Sequence, residues 1–102
     1  MVKYITEKTD VFEDWLKDLR DKEACTRISR RLKRIEKGNF GDHKSLGGGI
    51  SELKIHYGPG YRVYYTERKS LIIILLAGGD KSTQERDIAK ARQLAKEWKI
   101  KS

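Results

Sequence analysis

Leu53-Lys54-Ile55-His56-Tyr57-Gly58-Pro59-Gly60-Tyr61-Arg62-Val63-Tyr64-Tyr65 is the stretch whose reading decides the fold. Leu53 and Ile55 alternate with Glu52, Lys54 and His56, the period-two pattern of a strand with one apolar face. Gly58-Pro59-Gly60 is a reversal, and beyond it Tyr61, Val63 and Tyr65 alternate with Arg62 and Tyr64. Two alternating runs across a short turn predict a hairpin. Downstream, Leu71 to Ala77 is apolar in both alternations, which predicts a central strand covered on each side for much of its length. Gly78-Gly79-Asp80-Lys81 is expected to break that strand. Ser82 with Glu85 then has the form of a capping box, opening a last helix that carries Ile88, Ala91, Leu94, Ala95 and Trp98.

Upstream of the hairpin the periodicity changes to that of helices. Val2 to Thr6 predicts a short strand, after which Thr9 or Asp10 caps a helix with Phe12, Trp15, Leu16 and Leu19 on one stripe. Lys22 to Lys37 predicts a second helix that buries Ala24, Ile28, Leu32 and Ile35 and is stopped by Gly38. Gly38 to Gly49 is expected to be a glycine-rich loop. The order is β-α-α-β-β-β-α, an α+β class with a small, mostly antiparallel sheet and helices packed on one face, leaving the other face open. The 102 residues suit one domain, 1–102, with a modest core and no room for a separate cofactor-binding unit.

Lys and Arg number 23 against 15 Asp and Glu, a formal charge of +8 that favours a polyanionic partner. Nucleic acid, an acidic membrane surface and an acidic protein all satisfy charge alone. The single cysteine, Cys25, excludes an internal disulfide and a cysteine-based metal site, and fits a reducing compartment. The first residues reach charge too early for a signal peptide, and the longest apolar run falls far short of a membrane span, so the expected location is cytoplasmic.

If Leu53, Ile55 and Val63 point into the core, Lys54, His56, Arg62 and Tyr64 share the open face of the hairpin. Lys81 arrives from the end of the central strand, together with backbone N–H groups. Metal-free RNA cleavage needs a group for the ribose 2′-OH, cations for the charged phosphorane and a donor for the leaving oxygen. Basic side chains can fill all three roles. On this reading Arg62 clamps the scissile phosphate, Lys54 or His56 handles the 2′-OH, Lys81 stabilises charge or protonates the leaving group, and Tyr64 stacks on a base. The competing reading is a set of ordinary solvated side chains on the outside of a hairpin.

Arg27, Arg30, Arg31 and Arg34 form a basic stripe opposite the apolar positions of the second helix, either a solvated face or a contact to ribosomal RNA or an acidic partner. Gly47-Gly48-Gly49 precedes a strand and lacks the Gly-Lys-Ser/Thr ending of a nucleotide loop, so no NTP site is expected. His43 and His56 have no cysteine or clustered carboxylate at metal spacing, and neither a metal nor another cofactor is expected. Trp15 and Trp98 fall on apolar stripes and read as core.

The runs Gly49 to Tyr65 and Gly78 to Ile88 resemble the RelE/ParE toxin superfamily, and within it the HigB-like branch of addiction-module killer proteins. The resemblance extends from the Phe12 to Trp15 region to the last helix. It implies the toxin of a type II toxin-antitoxin pair: a ribosome-dependent messenger RNA endoribonuclease on the RelE and HigB pattern, or an inhibitor of DNA gyrase on the ParE pattern. A non-catalytic RNA-binding module is the third reading. Arg62 and Lys54 match basic strand positions of the family and Lys81 a cation after the third strand, while Gln84 and Asp87 belong to the branch's own motif. The resemblance also implies, as partners, the ribosome with its message and a HigA-like antitoxin carrying a helix-turn-helix domain. Glu97-Trp98-Lys99-Ile100-Lys101-Ser102 offers no Tyr or His at the place of the family's terminal catalytic group.

Overall fold

A computed structural model of the protein describes residues 3–98. The elements run β1 (Ile5–Lys8), α1 (Asp10–Asp18), α2 (Lys22–Glu36), β2 (His43–Gly47), β3 (Ile50–Ile55), β4 (Tyr61–Arg68) and β5 (Ile72–Asp80). A 3₁₀ turn (Lys81–Thr83) then leads into α3 (Gln84–Glu97). The strands form one sheet in the order β1-β5-β4-β3-β2, antiparallel except where β1 runs parallel to β5.

The predicted starts and stops rest on specific bonds. Thr9 caps α1 by accepting from the Phe12 N–H at 3.0 Å, and its hydroxyl donates to the Leu76 carbonyl at 2.6 Å, tying the helix to the sheet. Asp21 caps α2 through the N–H groups of Glu23 and Ala24. Gly38, at φ +85°, closes that helix with its own N–H on Ile35 and the Asn39 N–H on Arg34. The predicted hairpin forms, with Leu53 opposite Val63 and Lys54 opposite Arg62.

The α+β class and the mostly antiparallel sheet are those the sequence predicts, with four differences of detail. First, Gly38 to Gly49 is not all loop. His43–Gly47 pairs with β3 as a fifth, edge strand, which adds one β to the expected β-α-α-β-β-β-α order. Its residues are exposed except Leu46, so backbone pairing holds it and no apolar pattern announces it. Second, β1 begins at Ile5, whose N–H bonds the Leu71 carbonyl; the expected start at Val2 lies outside the described residues. Third, the helices do not share one face. Phe12 of α1 and the apolar stripe of α2 pack with Leu53, Val63, Ile73 and Leu75. Ala91 and its neighbours on α3 pack on the opposite side with Tyr64, Ile74 and Leu76. A strand apolar in both alternations needs cover on both sides, and α3 supplies the second layer.

The fourth difference concerns Gly78 and Gly79, which continue β5 instead of breaking it. Tyr64 pairs with Ala77 but Tyr65 pairs with Leu75, so Leu76 is the extra residue of a β-bulge. The bulge resets the alternation. A Cβ on Gly78 would lie 2.2 Å from the Trp15 ring of α1, and one on Gly79 would lie 1.8 Å from Asp87 Oδ2 of α3. The two glycines are therefore where both helices press closest to the sheet. The cap at this junction is also shifted: Asp80, not Ser82, accepts the capping bond, from the Ser82 N–H at 2.8 Å.

Candidate nucleic-acid site

Register builds the site at the turn end of the hairpin. Arg62 on β4 stands between Lys54 on β3 and Gly79 on β5. Lys81 leaves the end of β5 beside them: a Cβ on Gly60 would meet Arg62 Nη1 at 3.4 Å and Lys81 Cβ at 3.5 Å. Gly60 itself sits at φ +82°, a turn conformation that disfavours a side chain there.

The Arg62 guanidinium is held, not waving. Its Nη1 donates to the carbonyls of Gly60 at 3.1 Å and Tyr61 at 3.3 Å, and its Nε lies 4.0 Å from Glu52 Oε2. Arg62 is 8% exposed and Glu52 4%. A buried guanidinium next to a buried carboxylate keeps both ions in place, since either alone would face a large desolvation cost. Lys54 is half-buried and Lys81 exposed. Gln84 opens α3, half-buried.

Two of the expected residues are not on this surface. Tyr64 is 0% exposed, sealed between β4 and α3, and cannot stack on a base. Burial, with the Glu52 and Asp87 carboxylates nearby, pushes its hydroxyl up to about 12. The open face inferred from the hairpin alone is in fact roofed here by α3. His56 lies beyond the end of β3, exposed, and its Nε2 bonds Asp42. That bond holds the Asp42 carboxyl below the usual carboxylate range. His56 thereby joins the α2 arginines, with Arg27, Arg30, Arg31 and Arg34 lining a groove of about 290 Å³. This groove is on the α2 side of the sheet, away from Arg62.

The arginine stripe is not uniform. Arg31 donates to the carbonyls of Lys54 at 2.6 Å, Phe40 at 3.0 Å and Asp42 at 3.1 Å, and so stitches α2 to β2 and β3. Arg27 pairs with Glu23 at 3.0 Å and lies 4.6 Å above the Tyr57 ring. Arg30 and Arg34 are exposed. Two carboxylates also stand at the Arg62 site, neither of which the sequence reading gave a role there. Glu52 is signalled only by sharing the Lys54 alternation, and Asp87, 8% exposed with the Thr83 hydroxyl bonded to its Oδ2, by its place in the first turn of α3.

A five-stranded sheet with one parallel edge, helices on both sides and buried cationic chemistry at a hairpin turn defines an α+β fold of the RelE type. A free-state structure of a double arginine-to-alanine variant of E. coli toxin RelE superposes with a TM-score of 0.73, covering 90% of this chain and 97% of that one. Identity between the two is 12%, so this likeness is one of fold. The family is given by sequence: residues 14–96 match the phage-derived Gp49-like protein family (DUF891), and the chain belongs to that family. An uncharacterised protein of Haemophilus influenzae is 49% identical over 89 residues, covering 87% of this chain and 90% of the relative.

Proposed function

We propose that this protein is the toxin of a type II toxin-antitoxin pair and cuts messenger RNA on the ribosome without a metal ion. The observation that carries the reading is the pairing of Lys54 with Arg62 across the hairpin, with Lys81 delivered beside them by β5. The RelE fold supports the same reading, and so does the excess of 23 basic over 15 acidic residues.

In the proposed reaction the ribose 2′-oxygen attacks the adjacent phosphorus while Lys54 takes up its proton. The P–O5′ bond breaks, leaving a 2′,3′-cyclic phosphate on one fragment and a 5′-hydroxyl on the other. Arg62, oriented by Gly60, Tyr61 and Glu52, binds the non-bridging oxygens as charge builds on them. Lys81 supplies the leaving oxygen with its proton. His56, paired with Asp42 on the other side of the sheet, has no part in this set. The ribosome contributes the geometry of the message, which a shallow site on a small domain lacks. A helix-turn-helix antitoxin of the HigA type, drawn to the basic surface, is the proposed partner, and the cytoplasm is the place of action.

The test maps message 5′ ends after adding wild-type or Arg62→Ala protein to a purified bacterial translation system, with and without ribosomes. New ends that need ribosomes are expected, falling about 10²-fold or more in the variant. Intact message with active ribosomes and folded protein would overturn the reading, and inhibition of purified gyrase by the same sample would replace it.

A further inference from the structure

The hairpin has a second end, and it carries two clefts that meet. On the α3 side a cleft of about 500 Å³ is lined by Gly48, Thr66, Arg68, Arg92 and Lys96. On the α2 side a cleft of about 460 Å³ is lined by Phe40, His43, Lys44, Ser45 and Tyr65. Gly49 and Glu67 stand in the walls of both, so the clefts join around the end of the sheet. Arg62 and Arg68 lie on the same strand six residues apart, which puts this end about 20 Å from Arg62.

The chemistries of the two clefts differ. In the first, Arg68 donates to the carbonyls of Ala95 at 2.6 Å and Trp98 at 3.4 Å, and Arg92 to those of Leu46 and Gly47, both at 3.0 Å. Carbonyls fix these guanidinium groups without neutralising them, and among the described residues neither has a carboxylate partner. Lys96 adds an exposed third charge. Gly47, Gly48 and Gly49 all adopt positive φ beside it, and a Cβ on Gly47 would meet nothing within 4 Å. In the cleft wall itself a Cβ on Gly48 would lie 2.8 Å from Arg92 Nη1, so this backbone packs against the guanidinium. In the second cleft Phe40 stacks on Tyr65 at 5.8 Å and 27°, and the exposed His43 ring lies 5.6 Å from Phe40 at 49°. Glu67 at the junction repels phosphate but accepts from the exocyclic amino groups of bases.

We infer that these joined clefts form a second binding site for single-stranded RNA, the α3-side cations taking a phosphate and the Phe40–His43 side taking an unstacked base. The site rests on the reading of this protein as one that handles RNA, but not on cleavage. The Glu67 carboxylate favours bases with amino donors over uracil. It extends the contact with the message well beyond the scissile phosphate.

The experiment is fluorescence anisotropy with a labelled 2′-O-methyl adenosine octamer, which cannot be cut, against the full chain and its His43→Ala, Lys96→Ala and Arg62→Ala variants. Both cleft variants alter exposed side chains, and an unchanged melting temperature confirms that they fold. Each is expected to weaken binding about fivefold or more, with a lower salt slope for Lys96→Ala. An octamer with abasic sugars should keep its sensitivity to Lys96→Ala and lose that to His43→Ala, and a uridine octamer should bind more weakly than adenosine. If the parent does not bind, or both cleft variants bind within twofold of it, the site does not exist, and ribosome-dependent cleavage remains a separate question. If message stays intact on ribosomes while the cleft variants still weaken octamer binding, the site stands and the endoribonuclease reading falls.

Discussion

Gly79→Ala tests the glycine at which an added methyl would meet the closest neighbour among the described glycines. Gly79 is not at positive φ, so alanine meets no backbone objection, and the whole cost comes from the added methyl. That methyl would lie 1.8 Å from Asp87 Oδ2, 2.7 Å from its Cγ and 3.0 Å from Thr83 Oγ1. A carbon and an oxygen rest at about 3.3 Å, so the carboxylate must retreat by about 1.5 Å. Retreat breaks its bond with the Thr83 hydroxyl, worth about 1.5–3 kcal/mol for a charged acceptor, and overpacking adds about 1–3 kcal/mol. A total of about 2.5–6 kcal/mol is a large part of the stability of a domain this size. At about 4 °C or more per kcal/mol, thermal unfolding should begin at least about 10 °C lower. Calorimetry of Gly79→Ala, Asp87→Ala and the double variant measures it. The clash vanishes when Asp87 is shortened, so the double variant should be more stable than the sum of the singles by more than about 1 kcal/mol. A Gly79→Ala protein melting within about 3 °C of the parent, or additive singles, would show that the α3 junction is looser than described.

Thr9→Ala removes both the α1 cap and the bond to Leu76, and should cost about 1–2 kcal/mol in urea unfolding with an unchanged m value. Arg31→Met removes the side-chain donor to three carbonyls, of which only that of Asp42 keeps the Lys54 N–H as a second partner here, and should destabilise by about 2 kcal/mol, whereas Arg30→Ala should stay within about 0.5 kcal/mol, although the two are neighbours in one stripe. The Tyr64 hydroxyl is raised in the folded state, so its contribution is present below pH 10 and is lost as pH climbs toward about 12. An absorbance titration should show one tyrosine ionising last, together with unfolding, and that late step should be missing in Tyr64→Phe.

The elements that speak in sequence are those whose burial is periodic. The α2 stripe of Ala24, Ile28, Leu32 and Ile35 was legible because all four side chains meet the sheet, and the hairpin because its inner face is strictly alternating. That Arg62 and Lys54 share a face followed from the hairpin, and the arrival of Lys81 from pairing the strands in sequence. What was not legible depends on packing between distant segments. β2 has no buried alternation of its own, and the β-bulge at Leu76 shifts every residue after it without leaving a local mark. Tyr64 looked like an open-face residue because the hairpin does not reveal that α3, some 20 residues later, lies across it. His56 looked like a partner of Arg62 for a related reason: one position past the strand end, alternation no longer dictates direction.

The parallel pairing of β1 with β5 also orders events during synthesis. Residues 5–8 have no strand to join until residues 72–75 exist, and the Thr9 hydroxyl bonds a carbonyl 67 positions ahead. β5 in turn exposes an apolar face until α3 is in place. A growing chain therefore holds helices and a hairpin but no closed sheet, and Lys81 cannot stand beside Arg62 before the final third has emerged. The cationic site therefore comes into being only once β5 has paired with β4.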